Sequence, residues 1–361
     1  MKILQIIDSL PTGGGARFVV NLTKNLLQKN IEVDVLLLDG SATPFYAELA
    51  SSNCRIHSLT TGNRWNPINV FRIIPYLKKY DLVHVHIFPT SYYVALANQL
   101  SYSDTPILFT EHNSQNRRAS HFIFKYLERW MYSRYDRIVC LTNDVKNFVV
   151  ENLNVKESKL DIIENGLDYT VLHKSIPYSK IDLGFQVSDQ IITMAARLTS
   201  QKDHKTLIEA LIMLPSHFHI LLLGEGALKS ELQNFAISLN VQTRVHFLGN
   251  RSDVYRILKT SDYIVMSSHF EGLSLSALEG LASGKPFIAS NVSGLNFIED
   301  AGLLFERRNH IELASIILEL ENNPQYYETV VLKCQERAKM YDIEEMTSKY
   351  LDLYTNLIKS E

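Results

Sequence analysis

Cysteine is scarce in this 361-residue chain, and the three present, Cys54, Cys140 and Cys334, are spaced too widely for a disulfide framework or a zinc site. Buried or inert thiols are expected. No apolar run approaches the ~20 residues a spanning helix needs, and Met1-Lys2 leads straight into ILQII, not a signal pattern, so a cytoplasmic location is the default expectation. Net charge is only −3, and no nucleic-acid partner is expected. Repeats and low-complexity tracts are absent. The glycine loop after the first strand does not complete G-x-G-x-x-G, since Phe18 stands where the third glycine belongs, and Asp39 alone does not rescue a dinucleotide reading.

What is present is alternation. Short apolar runs trade places with helical patterns along the chain, the signature of βα units around parallel sheets. The first series comprises residues 2–8, 32–39, 55–59, 82–87, 106–112, 137–142 and 159–165; after a less regular stretch the second comprises 191–198, 218–226, 245–250, 263–268, 286–290 and 302–305. The length suits two domains, 1–167 and 168–341, with a last helix at about 342–361. Two open sheets facing across an interdomain cleft would bind ligands beyond the carboxyl ends of their strands.

Charge is unevenly divided. Residues 1–167 hold 18 Lys and Arg against 15 Asp and Glu, and the remainder 18 against 24. In 117–137 six basic residues interleave with Phe122, Phe124, Trp130 and Tyr132. That pattern suits a membrane-surface helix, but an amphipathic helix burying its aromatic face within its own domain is the preferred expectation.

Candidate chemistry gathers at strand ends. In SSHFEGLSLSALEG (267–280), a strand delivers Glu271 to a loop turned by Gly272, and a helix carrying Glu279 follows. The N–H groups of Leu273, Ser274 and Leu275 would stand at that helix N-terminus and favour a phosphate, flanked by two acidic acceptors for sugar hydroxyls. Arg197 and Lys202, in AARLTSQKDH, would neutralise a diphosphate at the same sheet edge. Gly224, in the GEG after another strand, is expected to line it too. Gly14 and Gly15 would let a ligand approach the first βα turn closely. His112 closes PILFTEH, where it would hydrogen-bond a sugar hydroxyl or polarise a reacting group. His84 and His86 alternate onto one strand face, but they lack a Cys or acidic partner at ligand spacing, and the chain has no D-x-D metal clamp. No metal site is expected.

Taken together, these segments resemble the retaining glycosyltransferases of family 4, which have the GT-B fold of two Rossmann-like domains. The likeness runs through Gly13 to Leu22, Thr110 to His112, ENGLD (164–168), A-R-L-x-x-x-K (196–202), LLLGEG (221–226), VHFLGN (245–250), the E-x7-E segment and ASGKPFIAS (282–290). The resemblance implies that Arg197 and Lys202 hold the donor diphosphate and that Glu271 contacts donor-sugar hydroxyls. Glu279 would bind the ribose, Leu273, Ser274 and Leu275 the phosphate by backbone N–H groups, and Leu248 and Gly249 the base. His112 would lie near the transferred sugar, and Gly14 and Gly15 near the donor phosphate or the acceptor. The closing helix would cross back onto the N-terminal, acceptor-binding domain. Many members have glycine where Ser274 stands.

The implied activity is metal-free, retaining transfer of a hexosyl group from a nucleoside-diphosphate sugar to a saccharide or lipid-linked acceptor; UDP-sugars are the first expectation for the donor and GDP-mannose the next. Bacterial surface polysaccharide synthesis is the expected setting, and the basic stretch 117–137 leaves open a lipid-linked acceptor met through peripheral contact with an anionic membrane. A nucleotide-sugar epimerase of similar fold and a non-catalytic sugar-nucleotide-binding partner subunit are the alternatives.

Overall fold

The computed structural model describes residues 1–112 and 122–359. The chain divides into two compact units, Met1–Gly166 with Ile343–Glu361, and Leu167–Asp342.

The first unit holds β1 (Lys2–Ile7), β2 (Glu32–Asp39), β3 (Arg55–Thr60), β4 (Leu82–His86), β5 (Ile107–Glu111), β6 (Arg137–Cys140) and β7 (Leu160–Ile162). They run parallel in the order β3-β2-β1-β4-β5-β6-β7. The order reverses at β1 and β4, so the loops leaving those two strands diverge to opposite faces and open a crevice at their carboxyl ends. β1, β4 and β5 are buried almost throughout, as strands covered on both faces by helices must be. The helix Ile343–Lys359 belongs to this unit, anchored by Lys29–Glu344 (2.7 Å) and by Tyr354, whose hydroxyl lies 2.7 Å from His84 Nδ1. Tyr350 and Tyr354 are fully buried in doing so.

The second unit holds β8 (Gln190–Ala195), β9 (Phe218–Leu223), β10 (Val245–Gly249), β11 (Tyr263–Met266), β12 (Phe287–Ser290) and β13 (Leu303–Phe305). These are parallel in the order β10-β9-β8-β11-β12-β13, reversing at β8 and β11. Each expected apolar run is a strand in one of the two sheets, trimmed by a residue or more where the run extended into a loop.

Burial lifts the thiols of Cys54 and Cys140 to about 12 and that of Cys334 to about 11, so all three are protonated and unreactive at neutral pH. The basic aromatic stretch lies partly outside the described residues. Its described helix, Phe122–Ser133, meets the expected burial in part: Tyr132 is buried and Trp130 packs against the core of its unit, while Phe124, Tyr126 and Leu127 are about half exposed at 49, 58 and 46%.

Candidate active site

In the second unit the chemistry assembles where β8, β11 and their loops end. Beyond β8 the chain makes a tight turn, Ser200–Lys202, and Asp203 follows in the left-handed region (φ 48°). The Ser267 hydroxyl, just past β11, donates to the carbonyl of Asp203 (2.8 Å), while the N–H of His269 donates to the carbonyl of Gln201 (2.8 Å). Gln201 returns a bond from Nε2 to the carbonyl of Phe270 (3.0 Å). Three bonds therefore strap the two loops side by side, and their reward is one ion pair: Lys202 Nζ to Glu271 Oε1 at 2.5 Å. Their side chains are only 12 and 6% exposed, so each charge depends on the other or on an incoming ligand for compensation.

Glu271 is braced from behind as well. Its N–H donates to the carbonyl of Ser293 (3.1 Å), and Gly294 (φ 83°) packs so tightly that a Cβ there would stand 2.1 Å from the Glu271 carbonyl oxygen. Only glycine fits. Nothing in the sequence reading singled out Asn291–Asn296, although a glycine between Ser293 and Leu295 was a legible turn signal.

After Glu271 the helix Leu275–Ala282 begins without a side-chain cap and without an acid in its first turn. Leu273 and Leu275 bury their side chains, and Ser274 between them is half-buried, so the segment is anchored by alternate residues at the positive end of the helix. One turn on, Glu279 accepts a hydrogen bond from the Tyr255 hydroxyl (3.1 Å). Tyr255 was missed by sequence reasoning, which has no means of pairing residues from separate helices. Arg197 is exposed and, among the described residues, faces no carboxylate partner.

Gly224 and Gly249 lie side by side through a bond from the Gly224 N–H to the Gly249 carbonyl (2.8 Å). A Cβ on Gly224 would meet the Ala196 carbonyl oxygen at 2.3 Å, which makes it a packing glycine for the strand end that presents Arg197. Leu248 packs its side chain against the cluster of Ile191, Leu221, Leu223 and Ile257, leaving its backbone as the part that can face a ligand.

The first unit carries a second group of expected residues. The helix Gly14–Gln28 starts from Gly13, again with no side-chain cap and no acid in the first turn. A Cβ at Gly14 would meet nothing within 4 Å, so a ligand has open access to that backbone; one at Gly15 would strike Ile87 Cδ1 at 2.6 Å. Ile87 itself holds φ 58°, a conformation costly for a β-branched residue and often found at functional sites. His112 Nε2 lies 3.3 Å from His86 Nδ1, and its ring meets the edge of Phe18 at 4.9 Å between centroids. Burial pushes its pKa down to about 4 and those of His84 and His86 well below 6.5. These imidazoles are neutral at physiological pH. His84 has both nitrogens engaged, by Tyr354 and Thr110, and His86 has both engaged, by Gln5 and His112. They are internal struts here.

Two doubly wound parallel sheets, each with an uncapped helix start and polar side chains at its carboxyl edge, define a protein of the GT-B class. The chain belongs to the family 4, group 1 glycosyltransferases: residues 12–171 match the family described as Glycosyltransferase Family 4 and residues 177–339 the one described as Glycosyl transferases group 1. Among curated proteins it is 28% identical, over 89% of its length and 86% of the relative's, to the UDP-Gal:alpha-D-GlcNAc-diphosphoundecaprenol alpha-1,3-galactosyltransferase of Escherichia coli. A second relative, at 24% over 94% of this chain and 96% of the other, is the Campylobacter jejuni N-acetylgalactosamine-N,N'-diacetylbacillosaminyl-diphospho-undecaprenol 4-alpha-N-acetylgalactosaminyltransferase. Among solved structures, Anabaena HepE in complex with UDP-glucose superposes with a TM-score of 0.86, at 20% identity, covering 99% of this chain and all of that one. The protein is a glycosyltransferase; the epimerase and partner-subunit alternatives are set aside.

Proposed function

We propose that the protein transfers a hexosyl group from a UDP-sugar to a lipid-linked saccharide, retaining the anomeric configuration and using no metal. The observation that carries this reading is the strapped pair of loops holding Lys202 against Glu271, beside an uncapped helix start. As the glycosidic bond breaks, negative charge grows on the leaving diphosphate while the sugar becomes cationic. Lys202, the exposed Arg197 and the helix N-terminus would stabilise the first charge in place of a cation. Arrival of the diphosphate would draw Lys202 from Glu271 and free that carboxylate for sugar hydroxyls, while Glu279, steadied by Tyr255, takes the ribose diol. The leaving phosphate would then help deprotonate the acceptor on the same face.

The UDP donor and lipid-linked acceptor are supported by the relatives' own substrates, UDP-galactose and diphosphoundecaprenol-linked sugars. A role in surface polysaccharide assembly follows the same line. The exposed Phe124, Tyr126 and Leu127 on a helix that also carries Lys125 and Arg129 support peripheral contact with an anionic membrane; no helix among the described residues is long and apolar enough to cross one.

Calorimetry with UDP, GDP, ADP and their sugars, with and without EDTA, tests the donor. UDP-selective binding that is insensitive to EDTA and lost in Lys202→Ala is expected, and anomeric NMR of the product reports retention. Binding of no nucleotide would overturn the reading, and EDTA-sensitive binding would overturn its metal-free part. Flotation with vesicles that shows no dependence on anionic lipid would remove the membrane contact.

A further inference from the structure

Gln5, His86 and His112 stand on, or just beyond, three neighbouring strands, β1, β4 and β5. In the sheet register Gln5 pairs with His84, and His86 pairs with Thr110. Each step across the sheet therefore moves two residues toward the carboxyl end and stays on one face, because side chains alternate along a strand. The three side chains form a continuous line: Gln5 Oε1 to His86 Nε2 at 2.7 Å, then His86 Nδ1 to His112 Nε2 at 3.3 Å.

The donors in this line are not independent. An amide oxygen only accepts, so His86 Nε2 must carry the hydrogen. A neutral His86 then has a bare Nδ1, which can only accept, and His112 Nε2 must donate to it. His112 is left with its hydrogen on Nε2 and a lone pair on Nδ1. Both rings are neutral because burial disfavours their charged forms. Turned over, Gln5 would present an N–H to His86 and reverse every donor, so the orientation of one buried amide sets the tautomer two links away. Gln5 Nε2 has no partner among the described residues, which leaves the link through Oε1 as the contact that orients the amide.

We propose that Gln5 and His86 are positioning residues that hold His112 in the Nε2–H tautomer, keeping Nδ1 free to accept a hydrogen bond from a hydroxyl of the transferred sugar. The assignment of that hydroxyl rests on the reading of His112 given above; the tautomer does not.

The test uses the full chain with 15N-labelled histidine, long-range 1H–15N spectra at pH 7.5 and His112→Gln to assign the His112 signals. Wild type is expected to show a protonated Nε2 and an unprotonated Nδ1 on His112. In Gln5→Leu and His86→Phe, those nitrogen shifts should move toward the average of two tautomers, with kcat down about tenfold, the scale of one lost hydrogen bond, and donor KM near wild type. A wild-type His112 protonated on Nδ1, which needs no variant to observe, would overturn the proposal, as would an unchanged tautomer in folded Gln5→Leu. A shifted tautomer with unchanged kcat would uphold the positioning and instead remove His112 from the sugar.

Discussion

The two units place their polar residues at the same part of the same kind of sheet and do so by opposite means. In the second, full charges are used: Lys202 and Glu271, both largely buried, face each other at 2.5 Å, and Arg197 is exposed. In the first, the line from Gln5 to His112 is neutral and mostly buried, and its order resides in which atom carries which hydrogen. A charged edge suits a ligand that brings a diphosphate, because the ion pair can exchange partners. A neutral edge suits hydroxyls, which need a donor or acceptor in a fixed place and gain little from net charge.

The largest effect should come from breaking the charged edge. Lys202→Ala leaves the Glu271 carboxylate buried without its cation and, on the proposed reading, removes a diphosphate contact; kcat/KM is expected to fall by about 10³-fold or more, with about 3 kcal/mol lost from stability in urea titration. Adding Glu271→Gln should restore much of the stability and none of the activity, which separates the two roles. Full stability in the single variant would show that the pair is not the internal brace described.

Gly294→Ala comes next. Its Cβ would clash with the Glu271 carbonyl at 2.1 Å and occupy a strained φ of 83°, so about 2 kcal/mol of destabilisation is expected, with UDP-sugar affinity lost at the same time. Retained affinity would detach that turn from the site.

The neutral edge should fail with acid. The folded-state pKa values of His84, His86 and His112 lie below the ordinary 6.5, so the unfolded chain binds more protons as pH drops through that value. Their contribution is fully present above about pH 6.5 and is lost toward pH 4, on the order of 1 kcal/mol per pH unit for each histidine. His86→Phe should flatten the slope of stability against pH between 6.5 and 5; an unaltered slope would place the acid sensitivity elsewhere. His204, held at about 4 by burial and by Lys202, gives the second unit a smaller share of the same behaviour.

The smallest effect belongs to Tyr255→Phe. Removing one hydroxyl from Glu279 costs about 1 kcal/mol, so the Kd for UDP should rise about fivefold with little change for a ligand lacking the ribose diol. An equal loss for both would mean that Tyr255 does not act through Glu279 on the proposed ribose contact.

Much of this protein was legible without coordinates. The central strands, such as β1, β4 and β5, show as apolar runs because a strand covered on both faces tolerates little else; the partly exposed edge strand β3 (Arg55–Thr60) shows through its place in the alternation, and the family follows from glycines, cations and carboxylates at strand ends, where residue type and short spacing carry the signal. The aromatic basic stretch was read in part: Trp130 and Tyr132 pack in their own unit as expected, but amphipathic spacing leaves open how completely an apolar face is covered, and Phe124 is exposed.

The sequence by itself thus determined the two sheets, the identity of the charged groups and the strand ends that bear them, all properties of single segments. Only the tertiary structure decided the pairings: Lys202 with Glu271 across 69 residues, Tyr255 with Glu279, and Gln5 with His86 across 81. The reason is physical. Which side chains meet depends on strand order and register, and a shift of one residue in β4 would turn His86 onto the other face of the sheet and break the line between Gln5 and His112.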